Sequence, residues 1–157
     1  MALRYVFVQV FGRGRLALSE RPKIKEIKKL NNDQCDRVIT ILGGRGENAR
    51  QIGLEVESCR MHWDWIKVGK ATSFSLAERI ELKHAIVTTL TALKSGESVI
   101  IHCSAGLHRT GLLAYCVLRS AGMTRNEALE VITKMRKETA LALEERYLSE
   151  AENLILA

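Results

Sequence analysis

Cys103 and Arg109 flank a short stretch, Ser104 to His108, inside the run from His102 to Gly111. A thiolate beneath a phosphoryl group is a nucleophile, and a guanidinium fork pairs with two phosphoryl oxygens at once, which a lysine ammonium does not. The residues between them predict an anion cradle. Ser104, Ala105, Gly106, Leu107, His108 and Arg109 connect a strand, Val99 to His102, to a helix beginning near Thr110. Their amides can therefore converge where a helix terminus is positive, and Gly106 permits a tight turn with amides inward. The same field and the nearby cation favour thiolate over thiol at Cys103. The Thr110 hydroxyl can donate to the sulfur when water cleaves a phosphocysteine, and His102 is placed to organise the loop by hydrogen bonds. The competing reading makes Cys103 a small buried hydrophobe at a strand end. It leaves the coincidence of strand, His, Cys, Gly, Arg, Thr and Gly without a reason.

The elements that must hold this loop alternate along the chain. Tyr5 to Phe11 is β-branched and aromatic and reads as a first or edge strand. Lys23 to Leu30 places Ile24, Ile27 and Leu30 at helical spacing. Arg37 to Leu42 is a short apolar run stopped by Gly43 and Gly44, as a buried strand should be. Glu47 to Ile52 suggests a short helix, and Arg60 to Val68 a strand rich in aromatics. Ser75 and Glu78 form a capping box. The helix it opens is expected to bury Leu76, Ile80, Val87, Leu90 and Leu93 and to stop at Gly96. After the strand Val99 to Ile101 come helices over Thr110 to Ala121, from the capping pair Thr124 and Glu127 with Leu129, Ile132 and Met135 inward, and over Leu141 to Leu156. This order predicts an α/β fold with a mostly parallel central sheet of four to five strands flanked by helices. Ligands collect beyond the carboxyl ends of such strands.

With 157 residues, 46% of them hydrophobic, and one proline, Pro22, the chain has the size of one ordinary domain and no linker composition. A single domain over residues 1–157 is expected. The formal net charge of +6, with lysines at 23, 25, 28 and 29, suits an anionic partner, or no more than a solvated face. Cys35, Cys59, Cys103 and Cys116 have neither the density of a disulfide scaffold nor metal-ribbon spacing, and His62, His84 and His108 add no ligand set. Reduced thiols, no metal and no cofactor are expected. The amino terminus lacks the marks of a signal peptide, and no run approaches the roughly 20 apolar residues of a bilayer span. A cytoplasmic protein without a nucleic-acid partner is the expectation.

The residues from His102 to Gly111 resemble the signature of the protein tyrosine phosphatase superfamily, and the short chain resembles its dual-specificity branch. Arg136 to Ala140 also resembles the segment downstream of the signature in small bacterial members. The resemblance implies that Cys103 is the nucleophile, Arg109 the phosphate binder and Thr110 the hydroxyl that assists hydrolysis. It implies a leaving-group acid too, an Asp on the loop after an upstream strand. Here that loop, Gly69 to Ser75, contains no acidic residue. Two substitutes are available. Asp64 stands between Trp63 and Trp65, an apolar setting that suits a proton donor, although it could equally be a structural Asp satisfied by His62 or an arginine. Glu47 follows a glycine-rich turn on the ligand side of the sheet, where a solvated helix-start Glu is the plainer alternative.

The expected activity is hydrolysis of phosphotyrosine in proteins through a phosphocysteine, with phosphoserine and phosphothreonine as further candidates. Two alternatives remain open. One is a phosphatase of a non-protein phosphomonoester such as an inositol phosphate, a lipid or an RNA 5′ end. The other is a phosphate-binding module with little turnover.

Overall fold

Strands covered by helices on both sides must be apolar on both faces, and the central strands of this chain are. The structure is a computed structural model that describes residues 2–44 and 48–156. Its strands are β1 Val8–Phe11, β2 Gly14–Ser19, β3 Arg37–Ile41, β4 His62–Ile66 and β5 Ser98–His102, and its helices are α1 Ile24–Asn32, α2 Ala49–Ser58, α3 Leu76–Lys94, α4 His108–Ser120, α5 Arg125–Met135, α6 Lys137–Ala142 and α7 Glu145–Leu156. The sheet runs in the order β1-β2-β5-β3-β4. Among the described residues β1 and β2 pair antiparallel, while β2 with β5, β5 with β3 and β3 with β4 are parallel. Leu16, Leu18, Ile39, Ile41, Val99 and Ile101 pack on the side of α3, α4, α5 and α7. Ala17, Val38 and Ile100 meet α1 and α2 on the other. Each such Leu, Ile or Val contributes roughly 1.5–3 kcal/mol on leaving water. Among the described residues no helix is long and apolar enough to cross a membrane.

Strand β2 is the main element that the sequence pattern does not announce. Its apolar core is only Leu16, Ala17 and Leu18, set between arginines and a proline. It becomes a strand by pairing: Gly12, at φ +49°, turns the chain back from β1, and β2 then lies beside β5 with Ser19 opposite His102. The first strand is correspondingly shorter than Tyr5 to Phe11.

Helix α3 turns a different face inward than expected. Leu76, Ile80 and Val87 are 76%, 60% and 63% exposed, whereas Leu82, Ala85, Ile86, Thr89, Ala92 and Leu93 are buried. The helix carries two apolar stripes, and its packing on the sheet and α4 selects the second. The expected carboxyl-terminal helix is two helices, broken around Leu143, whose side chain is buried. The short helix expected from Glu47 begins at Ala49 and runs to Ser58. The capping boxes Ser75/Glu78 and Thr124/Glu127 are both formed, each typically contributing about 1 kcal/mol.

Candidate active site

Strand β5 ends at His102, and the turn Cys103 to Leu107 leads straight into α4, whose first-turn amides have no acceptor within the helix. Cys103 is buried at 3% exposure. What fixes the turn is the fate of its carbonyls. The Cys103 carbonyl accepts from His102 Nδ1 at 3.0 Å, the Ser104 carbonyl from the Arg21 amide at 2.9 Å, and the Ala105 carbonyl from Arg136 Nη1 at 3.2 Å. The Gly106 carbonyl accepts from both Arg136 Nη1 at 2.8 Å and Thr139 Oγ1 at 2.6 Å. Four successive acceptors are thus held by groups outside the turn, leaving its amides to converge on an anion.

Gly106 makes this possible. Its φ is +72°, and a Cβ there would stand 2.3 Å from the Ser19 carbonyl oxygen and 2.6 Å from the Glu20 amide nitrogen. The carboxyl end of β2 therefore presses directly on the turn, and no side chain fits between them.

His102 is fully buried and is held neutral, with burial driving its pKa down to about 4. Its Nδ1 faces a carbonyl and must carry the ring proton. Nε2 lies 2.7 Å from Thr40 Oγ1 and is then an acceptor, so the threonine hydroxyl donates to it. Thr40 Oγ1 in turn accepts from the Trp63 indole N–H at 2.8 Å. The chain Trp63, Thr40, His102, Cys103 carbonyl sets one tautomer and ties the turn to β3 and β4.

Arg109, in the first turn of α4, donates from Nη1 to the Val68 carbonyl at 3.1 Å, just past the end of β4. Thr110 is fully buried, and its hydroxyl has no hydrogen-bond partner among the described residues. The expected bond to Cys103 Sγ is not formed.

Cys103, Ser104, Ala105, Leu107, His108 and Arg109 line one cleft of about 300 Å³ together with Gly69, Lys70, Ala71, Thr72 and Tyr147. The His108 ring stacks on Tyr147 at 4.5 Å between centroids and 18° between planes. Two acids are engaged in building the Gly69 to Ser75 loop. Glu78 accepts the Ser75 amide at 2.8 Å and pairs with Lys70 at 3.4 Å, and Glu150 accepts the Ser73 amide at 2.8 Å.

Asp64 is not brought to this cleft. It pairs in register with Ile39 on β3, and its carboxylate is 2.7 Å from Arg37, which also binds Glu97 at 2.8 Å. Arg37 opens β3 and Glu97 precedes β5, so this ion-pair group sits at the amino ends of the strands, opposite the cleft. Alternation along β4 sends Trp63 and Trp65 to the other sheet face, against the α1 and α2 core, so Asp64 does not share their apolar setting. The arginine alternative foreseen for it is the observed one. Glu47 lies outside the described residues. The residues that sequence reasoning missed are Arg21, Arg136, Thr139 and Tyr147; all act from sequence-distant elements, and only Arg136 and Thr139 fell within a stretch already singled out. Among the described residues no three His, Cys, Asp or Glu side chains gather as metal ligands.

Residues 67–147, more than half of the chain, match the tyrosine phosphatase family. No curated protein sequence matches. Among solved structures, Tk-PTP in its active form superposes with a TM-score of 0.73 at 19% identity, over 96% of this chain and 96% of that one. Kinase associated phosphatase, with its catalytic cysteine substituted by serine, gives 0.70 at 17% identity over 98% and 93%. PTPMT1 in complex with PI(5)P gives 0.66 at 16% identity over 96% and 97%. At such identities the likeness carries the fold, and the family match over the cleft carries the rest: the chain belongs to the tyrosine phosphatase family.

Proposed function

We propose that this phosphatase hydrolyses phosphotyrosine in proteins through a phosphocysteine intermediate, with phosphoserine and phosphothreonine as further candidate esters. The observation that supports it most is the outward anchoring of the Cys103, Ser104, Ala105 and Gly106 carbonyls around a buried thiol, in a cleft shared with Arg109 and the aromatic wall of Tyr147. In this reading the amides of Ser104 to Arg109 and the Arg109 guanidinium hold the phosphoryl oxygens and stabilise the charge spread over them in the transition state. The Cys103 thiolate attacks phosphorus in line and the ester oxygen leaves. Water then displaces the sulfur, and the Thr110 hydroxyl, fully buried and without a hydrogen-bond partner among the described residues, donates to the departing thiolate. Tyr147 and Leu107 give a phosphoaryl ring an apolar surface that a phosphoinositol lacks.

A second reading, a phosphorylated lipid headgroup, is favoured by Lys70 in the cleft wall and by the likeness to PTPMT1, solved with PI(5)P. The deciding experiment compares kcat/KM for a phosphotyrosyl peptide, the matching phosphoseryl peptide and PI(5)P in mixed vesicles. The first reading expects the phosphotyrosyl peptide to lead; faster turnover of the vesicle substrate would overturn it in favour of the second. Turnover of none of them, nor of para-nitrophenyl phosphate, would leave the phosphate-binding module.

A further inference from the structure

An aryl or alkyl oxygen leaving phosphorus needs a proton in the transition state, and general acid catalysis of this kind contributes typically 10²–10⁴-fold. Among the described residues no carboxylate lines the cleft. Asp64 is bound to Arg37 at the far end of the sheet, and Glu78 and Glu150 hold loop amides. Besides Cys103 and Arg109, the cleft contains three titratable side chains that could face a leaving group, Lys70, His108 and Tyr147; the hydroxyls of Thr72 and Ser104 hold their protons too tightly to serve. Imidazole is the side chain most often used to give a proton to a reacting group and take one back, which an ammonium or a phenol does far less readily. His108 is also held in place, being half-buried and stacked flat on Tyr147, with Arg146 against the other partner of that stack at 4.7 Å from the Tyr147 centroid. It directly precedes Arg109 in the first turn of α4.

We propose that His108 is the leaving-group acid. This rests on the Cys103 phosphocysteine reading. In the first step Cys103 Sγ forms the S–P bond and the P–O ester bond breaks. Its electron pair stays on the departing oxygen, which takes the proton of the His108 imidazolium and leaves as the neutral alcohol or phenol. In the second step water attacks phosphorus, neutral His108 takes its proton, the S–P bond breaks with its pair returning to sulfur, and inorganic phosphate departs. His108 ends as it began, so one residue serves as acid and then as base. The titratable and charged groups that share the cleft with it are Cys103 and Arg109 from its own loop and helix, Lys70 from the loop after β4 and Tyr147 from α7, with Arg146 over the Tyr147 ring.

The test is His108→Gln, which keeps a polar side chain of similar reach but cannot carry the proton. The measured quantity is kcat/KM for para-nitrophenyl phosphate, whose phenolate leaves unprotonated, and for phenyl phosphate, whose phenolate does not. The expected result is a fall of about a hundredfold or more on phenyl phosphate and below tenfold on para-nitrophenyl phosphate, with the basic limb of the phenyl phosphate pH profile disappearing. Inorganic phosphate inhibition of the variant checks that the cradle is intact. Equal losses on both substrates, or no loss, overturns the assignment, as does Glu47→Gln producing the leaving-group-dependent loss instead. Failure of the parent reading looks different: wild-type protein without para-nitrophenyl phosphate turnover, or undiminished turnover by Cys103→Ser.

Discussion

Thr139 Oγ1 donates to the Gly106 carbonyl at 2.6 Å, tying a short helix more than thirty residues downstream to the turn beneath the cleft. Arg136 adds a second hydrogen bond to the same carbonyl and one to Ala105. Both residues touch the loop from behind and neither lines the cleft. Replacing Arg136 by Met keeps the aliphatic stem and removes the donors. Hydrogen bonds from charged groups contribute about 1.5–3 kcal/mol, so phosphate binding and turnover are expected to weaken by roughly ten- to a hundredfold. Thr139→Val should fall at the lower end. Inhibition by inorganic phosphate, measured beside kcat/KM, checks this, because a loose cradle weakens both.

Gly106→Ala is the sharper local test. The added Cβ meets backbone atoms of Ser19 and Glu20 inside 3 Å at a residue with φ +72°, and neither obstacle is the end of a flexible side chain. Strain of this kind costs on the order of 1–3 kcal/mol. Turnover is expected to collapse while the protein still folds, which a thermal melt beside the activity assay would show.

The buried His102 gives stability a pH dependence. Its folded-state pKa is lowered to about 4 from near 6.5, so between those values the unfolded chain binds a proton that the folded chain does not. Stability therefore rises with pH across that window: it is complete above 6.5, is lost progressively on acidification, and levels off below 4. Urea melts at pH 7 and pH 4.5 should differ by a few kcal/mol, and His102→Asn should flatten the slope. Thr40→Val leaves the Trp63 indole and His102 Nε2 without a partner and is expected to cost about 1–3 kcal/mol.

Asp64→Asn is expected to lower stability by about 1 kcal/mol through loss of the Arg37 ion pair, and to leave the dependence of turnover on leaving group as it was. Thermal denaturation and the para-nitrophenyl against phenyl phosphate comparison read the two effects separately.

The local parts of the site were legible because their partners are close in sequence. Cys103, Gly106, Arg109 and Thr110 belong to one strand-turn-helix, and the capping boxes at Ser75 and Thr124 are closed within four residues. The missed parts are those that tertiary packing decides. Strand β2 exists by lying between β1 and β5, and Leu16 to Leu18 is too short to show it alone. The inward face of α3 could not be chosen from spacing, since Leu76, Ile80 and Val87 repeat as regularly as Leu82, Ile86 and Leu93. Asp64 sits at the middle of β4, and its side chain reaches to Arg37 at the start of the neighbouring strand. Periodicity does not reveal which end of a strand a side chain serves.

Every catalytic role proposed for the cleft depends on phosphorus passing through Cys103. Rapid acid quench during turnover of para-nitrophenyl phosphate, followed by digestion and mass spectrometry, reads that passage directly. The expected result is one phosphoryl group on the peptide containing Cys103, accumulating in Thr110→Ala and absent in Cys103→Ala, which is also inactive. Turnover at the wild-type rate by Cys103→Ala, or a phosphoryl group trapped on any other residue, would contradict it.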